Sequence, residues 1–144
     1  TAIQRLREGT PAEEAGGDQE ADNGNGSLMR VLPVALRFFR DTEARLAEYA
    51  HRASSLTHRH PRSKLACGYV CVFAKYLLEG DSVQTAYTRA NAFAQSYYSV
   101  GMWASELPHY AVVLDGKLAE LSRNVVPSSG YVVHTLTAGI SAWF

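Results

Sequence analysis

Long apolar runs are missing from this sequence. None reaches the roughly 18 residues that a membrane-spanning helix needs, which excludes a helical transmembrane role for these residues. A basic-then-apolar leader is also lacking, and the reading that follows is a cytoplasmic protein. Charge of one sign is lacking too. The 14 Lys and Arg residues balance the 14 Asp and Glu residues, so no broad field gathers nucleic acid or an anionic membrane, and any anionic ligand must be held locally. Cysteine is scarce. Cys67 and Cys71 lie one helical turn apart in an apolar pattern, which suits small buried hydrophobes in a reducing compartment better than a disulfide framework. Strand signals are equally thin: Val125-Val126 and Val132-Val133 are too short and poorly flanked to support a sheet, and no internal repeat is visible.

The chain does have apolar residues at helical spacing. With 144 residues, 47% of them hydrophobic, it can bury one compact core. Thr1 to Arg7 reads as a helix end closed by Gly9, followed by a loop rich in glycine, Asp and Asn. From Ser27 a stripe of Val31, Val34, Ala35, Phe38 and Phe39 predicts a helix with Pro33 in its first turns and Met29 in the core. Asp41 or Thr42 caps a second stripe through Leu46, Tyr49, Ala50 and Ala53, ending near Ser54-Ser55. Pro61 opens a third through Leu65, Tyr69, Val72, Phe73, Tyr76 and Leu77, up to Gly80. Asp81 or Ser82 caps a fourth, from Val83 to Tyr97. Pro108 starts a fifth that runs through Tyr110, Val113, Leu114 and Leu118 to Leu121, with Asp115-Gly116 in its middle. Pro127 to Gly130 supplies turn and cap chemistry before a last face of Val133, Leu136, Ile140 and Phe144. The expected fold is all-α, an orthogonal multi-helix bundle. Both ends fall inside helix-like patterns without cap or stop signals, so residues 1–144 are expected to be the central part of a single domain truncated at both ends.

Chemistry concentrates in two polar segments. In Asp22-Asn23-Gly24-Asn25-Gly26-Ser27, the glycines allow close backbone approach, and a helix starting at Ser27 would offer free amides and its dipole to a phosphate. The same loop also fits a plain connector capped by Ser27. Arg30 fits a paired structural role as well as a phosphate contact. The turn Thr57-His58-Arg59-His60-Pro61 is the second segment. His58 can donate to a ligand hydroxyl or phosphate, or cap a helix, while His60, directly before proline, reads as structural. Zinc is rejected, because His58, His60, Cys67 and Cys71 lack the usual paired-ligand spacing. Asp22, Glu43, Glu48 and Asp115 are scattered, so no acid and base pair, and no catalytic residue, is assigned.

Taken in order, Asp22-Asn23-Gly24-Asn25-Gly26-Ser27-Leu28-Met29-Arg30-Val31-Leu32-Pro33, Ser55-Leu56-Thr57-His58-Arg59-His60-Pro61 and Ser128-Ser129-Gly130-Tyr131-Val132-Val133-His134-Thr135-Leu136 resemble the middle of the ADP-ribosylglycohydrolase family. The resemblance runs along nearly the whole chain. It implies an all-helical fold, a cleft holding two divalent cations (Mg2+ or Mn2+), and hydrolysis of an ADP-ribose linkage. It places Asp22, Asn23, Gly24, Asn25, Gly26 and Ser27 around the phosphates and ribose, His58 at the ligand edge and Tyr131 in the pocket lining. The implied partner is ADP-ribose or an ADP-ribosylated substrate.

The sequence departs from a complete member by lacking a Thr-Asp-Asp-type motif before the loop and a Gly-Asp-x-Asp-Thr motif after Phe144. The metal ligands are therefore expected outside this chain, leaving these residues alone inactive. Two other readings stay open: a non-catalytic module that binds ADP-ribose or a nucleotide, and a helical scaffold in which the Gly/Asn loop only connects.

Overall fold

The computed structural model describes residues 1–116, 118, 126, 127 and 129–144. Among these the protein is all-helical. Its seven α-helices are α1 (Ala2–Arg7), α2 (Leu32–Phe38), α3 (Glu43–Ser55), α4 (Pro61–Leu78), α5 (Val83–Tyr97), α6 (Ala111–Leu114) and α7 (Val132–Ser141), joined by single 3₁₀ turns and loops. The only β-pairings among the described residues are two isolated bridges, Gly17 with His58 and Gly24 with Tyr131.

Most start and stop signals act as local chemistry dictates. Thr42 Oγ1 accepts from the Arg45 amide at 3.4 Å and caps α3, and Ser82 Oγ accepts from Thr85 at 3.2 Å and caps α5. Pro61 sits in the first turn of α4, where its missing N–H costs nothing, and His60 Nδ1 caps that turn by accepting from the Arg62 amide at 3.2 Å. Gly9 and Gly80 end α1 and α4 at φ values of +89° and +99°, a region closed to most residues with a Cβ.

α4 is the axis of the fold and packs against α2, α3, α5 and α7. It is apolar on more than one face, as a helix surrounded on several sides must be. Leu65, Tyr69, Val72 and Phe73 join the larger core with α5, α6 and α7. Cys67 and Cys71 face the other way, into a smaller core with Val31, Ala35, Leu46 and Ala50. Both cysteines are free and buried, and burial pushes the Cys71 thiol well above its ordinary range, so it is packed as a neutral hydrophobe.

Four expectations need correction. The helix foreseen from Ser27 is split: a 3₁₀ turn (Leu28–Arg30) precedes α2, and Ser27 makes no side-chain cap. Met29 is 75% exposed because that turn rotates it off the α2 stripe. The fifth helix is short. Residues Leu107–Tyr110 form a 3₁₀ turn, and α6 ends at Leu114 just before Gly116, whose φ is +80°. The last helix begins at Val132 without a serine cap, and the Asn23 carbonyl accepts the Val132 amide at 3.0 Å instead. The expected positions Leu121, Val125 and Ser128 lie outside the described residues.

Gly68 marks the tightest point between α4 and its neighbours. His51 Nε2 and Tyr98 Oη share a hydrogen bond of 2.8 Å directly above it, with the Trp103 ring against the imidazole at 4.6 Å between centroids and tilted by 34°. A Cβ at Gly68 would lie 2.8 Å from His51 Nε2 and closer still to Tyr98 Oη. Gly68→Ala is therefore expected to lower the unfolding free energy by about 1–3 kcal/mol through overpacking. Gly139→Ala, in α7 with no atom within 4 Å of its new methyl, should raise it by about 0.5–1 kcal/mol. Urea denaturation of the pair checks both, and a Gly68→Ala variant as stable as the parent contradicts this packing.

Burial also pushes the His51 pKa down from 6.5 to about 3. The unfolded chain takes up this proton below pH 6.5 while the folded chain refuses it. His51 thus contributes fully above pH 6.5, and its contribution drains away as the pH falls toward 3, by about 1.4 kcal/mol per unit. The stability difference between the parent and His51→Gln should shrink by about 2 kcal/mol from pH 7 to pH 5. A difference that does not move with pH would show that His51 is not held neutral.

Candidate functional site

The approach to the Gly/Asn loop is built from backbone. The Gly16 amide donates to the Ser55 carbonyl at 3.0 Å, the Gly17 amide to Thr57 at 3.1 Å, and the Arg59 amide to Gly17 at 2.6 Å. These bonds lay residues 16–17 along the turn after α3. A Cβ on Gly16 would stand 2.7 Å from the Thr57 carbonyl carbon, so only glycine fits there. The Asp22 carboxylate accepts from the Gln19 amide at 3.0 Å and closes the turn that follows. Asn23, only 3% exposed, then pins the loop to α4: its Nδ2 donates to the Glu20 carbonyl at 3.1 Å, and its Oδ1 accepts from Ser63 Oγ at 3.0 Å.

From Asn23 the chain runs antiparallel to residues 130–132. The Asn25 amide donates to the Gly130 carbonyl at 2.9 Å, and the Val132 amide to Asn23 at 3.0 Å. Gly24 and Tyr131 thereby lie opposite one another. Asn25 Nδ2 adds a bond of 3.0 Å to Thr135 Oγ1 on the first turn of α7. Across the loop lies His58. A Cβ built on Gly26 would come within 2.9 Å of its Cε1, and one on Gly24 within 3.5 Å of its Nε2. The two glycines make the shelf on which the imidazole rests.

His58 is oriented from behind. Arg30 donates to Thr57 Oγ1 and to the Ala53 carbonyl, each at 2.9 Å, which caps the end of α3 and fixes Thr57. Thr57 Oγ1 and His58 Nδ1 are 2.7 Å apart. A guanidinium only donates, so the hydroxyl accepts from Arg30 and directs its own hydrogen to Nδ1; that assignment leaves the ring proton on Nε2, beside Gly24. Burial and the nearby Arg30 hold the His58 pKa below its ordinary value, so the ring is a neutral donor at pH 7.

Tyr131 is held by Arg62. This arginine has a side chain only 5% exposed at the start of α4, and it donates to Glu20 at 2.5 Å, Glu106 at 2.7 Å, His109 Nε2 at 2.8 Å and Tyr131 Oη at 3.1 Å. Its cation in turn keeps the Glu20 carboxyl below the usual range. Tyr131 also lines a cavity of about 390 Å³ that it shares with His109 and His134.

The structure gathers Asp22, Asn23, Gly24, Asn25, Gly26, Ser27, His58 and Tyr131 around one short backbone pairing, but they are not equally available. Asn23 and Ser27 are buried; Ser27 Oγ accepts from the Cys67 thiol at 3.5 Å, and the Asn23 amide group is committed at both ends. The expected row of free amides at a helix start is also reduced. Only a 3₁₀ turn follows Ser27, and the amides of Asn25 and Met29 bond to Gly130 and Asn25. The Gly24 and Gly26 amides find no acceptor among the described residues, and together with His58 Nε2 they form a small donor cluster. Such a cluster suits phosphate or hydroxyl oxygens.

Sequence reasoning missed Arg62, Glu20, Glu106 and His109. One signal was present. A cation in the first turn of a helix opposes the dipole, so Arg62 directly after Pro61 needed partners elsewhere. The two divalent ions implied by the resemblance find no fit here. No group of three or more His, Cys, Asp or Glu is gathered among the described residues, and Asp22 and Glu20 already serve Gln19 and Arg62.

The ADP-ribosylglycohydrolase family model matches residues 1–144. The chain is similar to ADP-ribosylarginine hydrolase Tri1 of Serratia proteamaculans (strain 568), 28% identical over 120 residues, which cover 83% of this chain and 29% of that protein. It therefore spans less than a third of this relative's length. No solved structure gives a significant match.

If the Gly24 and Gly26 shelf supports the imidazole, Gly26→Ala must displace the ring toward solvent. The His58 pKa is then expected to rise toward 6.5, followed by NMR titration of its ring protons. An unchanged titration in Gly26→Ala would remove the shelf from the account.

Proposed function

The chain belongs to the ADP-ribosylglycohydrolase family, and we propose from that premise that it carries the ADP-ribose-holding part of a hydrolase that cleaves an ADP-ribose linkage. The observation that supports this most is the meeting of three segments far apart in sequence: Gly24 to Gly26, His58 and Tyr131. The donors there are neutral or backbone groups, as suits oxygens that must be released after reaction, and Tyr131, whose backbone pairs with Gly24, brings an aromatic ring that lines a cavity with His109 and His134. The absence of net charge agrees with a ligand held by local hydrogen bonds rather than by a field.

In this reading Gly24, Asn25 and Gly26 approach the phosphates and ribose, Asp22 closes the turn behind them, and His58 donates from the edge. Asn23 and Ser27 act by fixing the loop. The residues that activate water and hold the two divalent ions, Mg2+ or Mn2+, lie in polypeptide beyond these 144 residues. That placement is supported by the 29% share of the relative that the chain covers. The acceptor carrying the ADP-ribose is arginine in this proposal, on the strength of the ADP-ribosylarginine hydrolase. These residues bind and orient; by themselves they do not turn over.

The test uses the intact polypeptide. Calorimetric titration with ADP-ribose should show binding that weakens about tenfold in His58→Ala, the equivalent of one hydrogen bond to a charged group, with little change in melting temperature. Release of ADP-ribose from modified arginine should require a divalent ion. Binding without release would favour a module that only recognises ADP-ribose, and a loss of affinity that merely tracks a loss of stability would favour a structural scaffold.

A further inference from the structure

Arg62 lies behind the site rather than in it, yet its donors are arranged in a way that ion pairing alone does not require. The guanidinium has five N–H groups, and all five are used. Nε donates to Glu106 at 2.7 Å; Nη1 donates to Glu20 at 2.5 Å and Tyr131 Oη at 3.1 Å; Nη2 donates to Glu20 at 3.3 Å and His109 Nε2 at 2.8 Å. Two carboxylates already offset its charge, so the cation is not free to collect a ligand phosphate. Only Tyr131, among its partners, belongs to the residues paired with the Gly24 loop.

Because a guanidinium cannot accept, the Tyr131 oxygen must accept, and the phenol hydrogen is left to point elsewhere. The ring is anchored on the backbone side too: the Tyr131 amide donates to Ser129 Oγ at 3.2 Å, and the ring meets His134 edge-on at 5.0 Å. His134 Nδ1 in turn pairs with Ser129 Oγ at 2.8 Å. The phenol is thus fixed in direction on the wall of the 390 Å³ cavity.

We propose that Arg62 is a positioning residue that holds the Tyr131 hydroxyl as an outward hydrogen-bond donor to a hydroxyl or phosphate oxygen of a bound ADP-ribose unit. The inference rests on the ADP-ribose reading above. It assigns Arg62, with Glu106 and Glu20 as its braces, a role in ligand affinity through Tyr131 rather than through direct contact.

A double-mutant cycle in the intact polypeptide tests it, read by calorimetric titration with ADP-ribose. Tyr131→Phe, which keeps the ring and removes the donor, is expected to weaken binding about tenfold. Arg62→Lys should weaken it by a similar factor, and the double variant should bind within about twofold of Tyr131→Phe alone, since the arginine then has no hydroxyl to direct. If Arg62→Lys does not fold, Glu106→Gln loosens the same guanidinium more gently and should show the same non-additivity. A merely structural arginine would lower the melting temperature and leave the affinity of the folded fraction unchanged, or add its effect in full to that of Tyr131→Phe. Either result overturns the inference, as does unaltered binding by Tyr131→Phe. Failure of the unmutated protein to bind ADP-ribose would instead overturn the reading on which the inference stands.

Discussion

The rest of the site depends on two backbone hydrogen bonds, from Asn25 to Gly130 and from Val132 to Asn23. They join parts of the chain more than a hundred residues apart, and they do so where the regular elements among the described residues are helices. One of them also supplies the acceptor that the first amide of α7 would lack. Closing so long a loop carries an entropic cost that two hydrogen bonds cannot offset, so the closure is set by the packing of α7 on α4. The pairing then converts that packed arrangement into a defined register, with Gly24 opposite Tyr131.

Around this pairing the polar groups are arranged so that each fixed one leaves a neighbour available. Arg30 holds Thr57, which orients His58; Ser63 holds Asn23, which sets the height of Gly24; Arg62 holds Tyr131. Ser63 and Arg62 are buried and Arg30 is exposed, while His58, Gly24 and Tyr131, which these contacts set in place, are partly exposed. Buried charge is tolerated at Arg62 only because every donor is matched, and removing one partner would leave the others imperfectly paired. The smaller core beneath, with Cys67 against Ser27, links the same loop to α4.

The sequence made the helices legible where their signals are local. Thr42, Ser82 and Pro61 act at the starts of α3, α5 and α4 as their chemistry predicts, and Gly9 and Gly80 end α1 and α4. It was less legible at Ser27, where a sound capping residue is used instead by the Cys67 thiol, a contact that no spacing announces. Met29 followed the apolar count into the core, whereas the 3₁₀ turn carries it outward. α6 stops early because Gly116 takes a positive φ that periodicity cannot register. The candidate site was half legible. Glycine spacing and the His58 turn marked the loop, but Glu20, Glu106 and His109 acquire meaning only through Arg62, which reaches them across three separate segments.

The central claim is that the Gly24 and Gly26 amides, with His58 and Tyr131, form the surface on which an ADP-ribose unit rests. Amide chemical-shift mapping of the intact, isotope-labelled polypeptide during addition of ADP-ribose measures this directly. The account predicts saturable shifts centred on Gly24, Gly26, His58 and Tyr131, with the amides of α5 unmoved. Saturable binding whose shifts map to another face, leaving the Gly24 and Gly26 amides untouched, would contradict it.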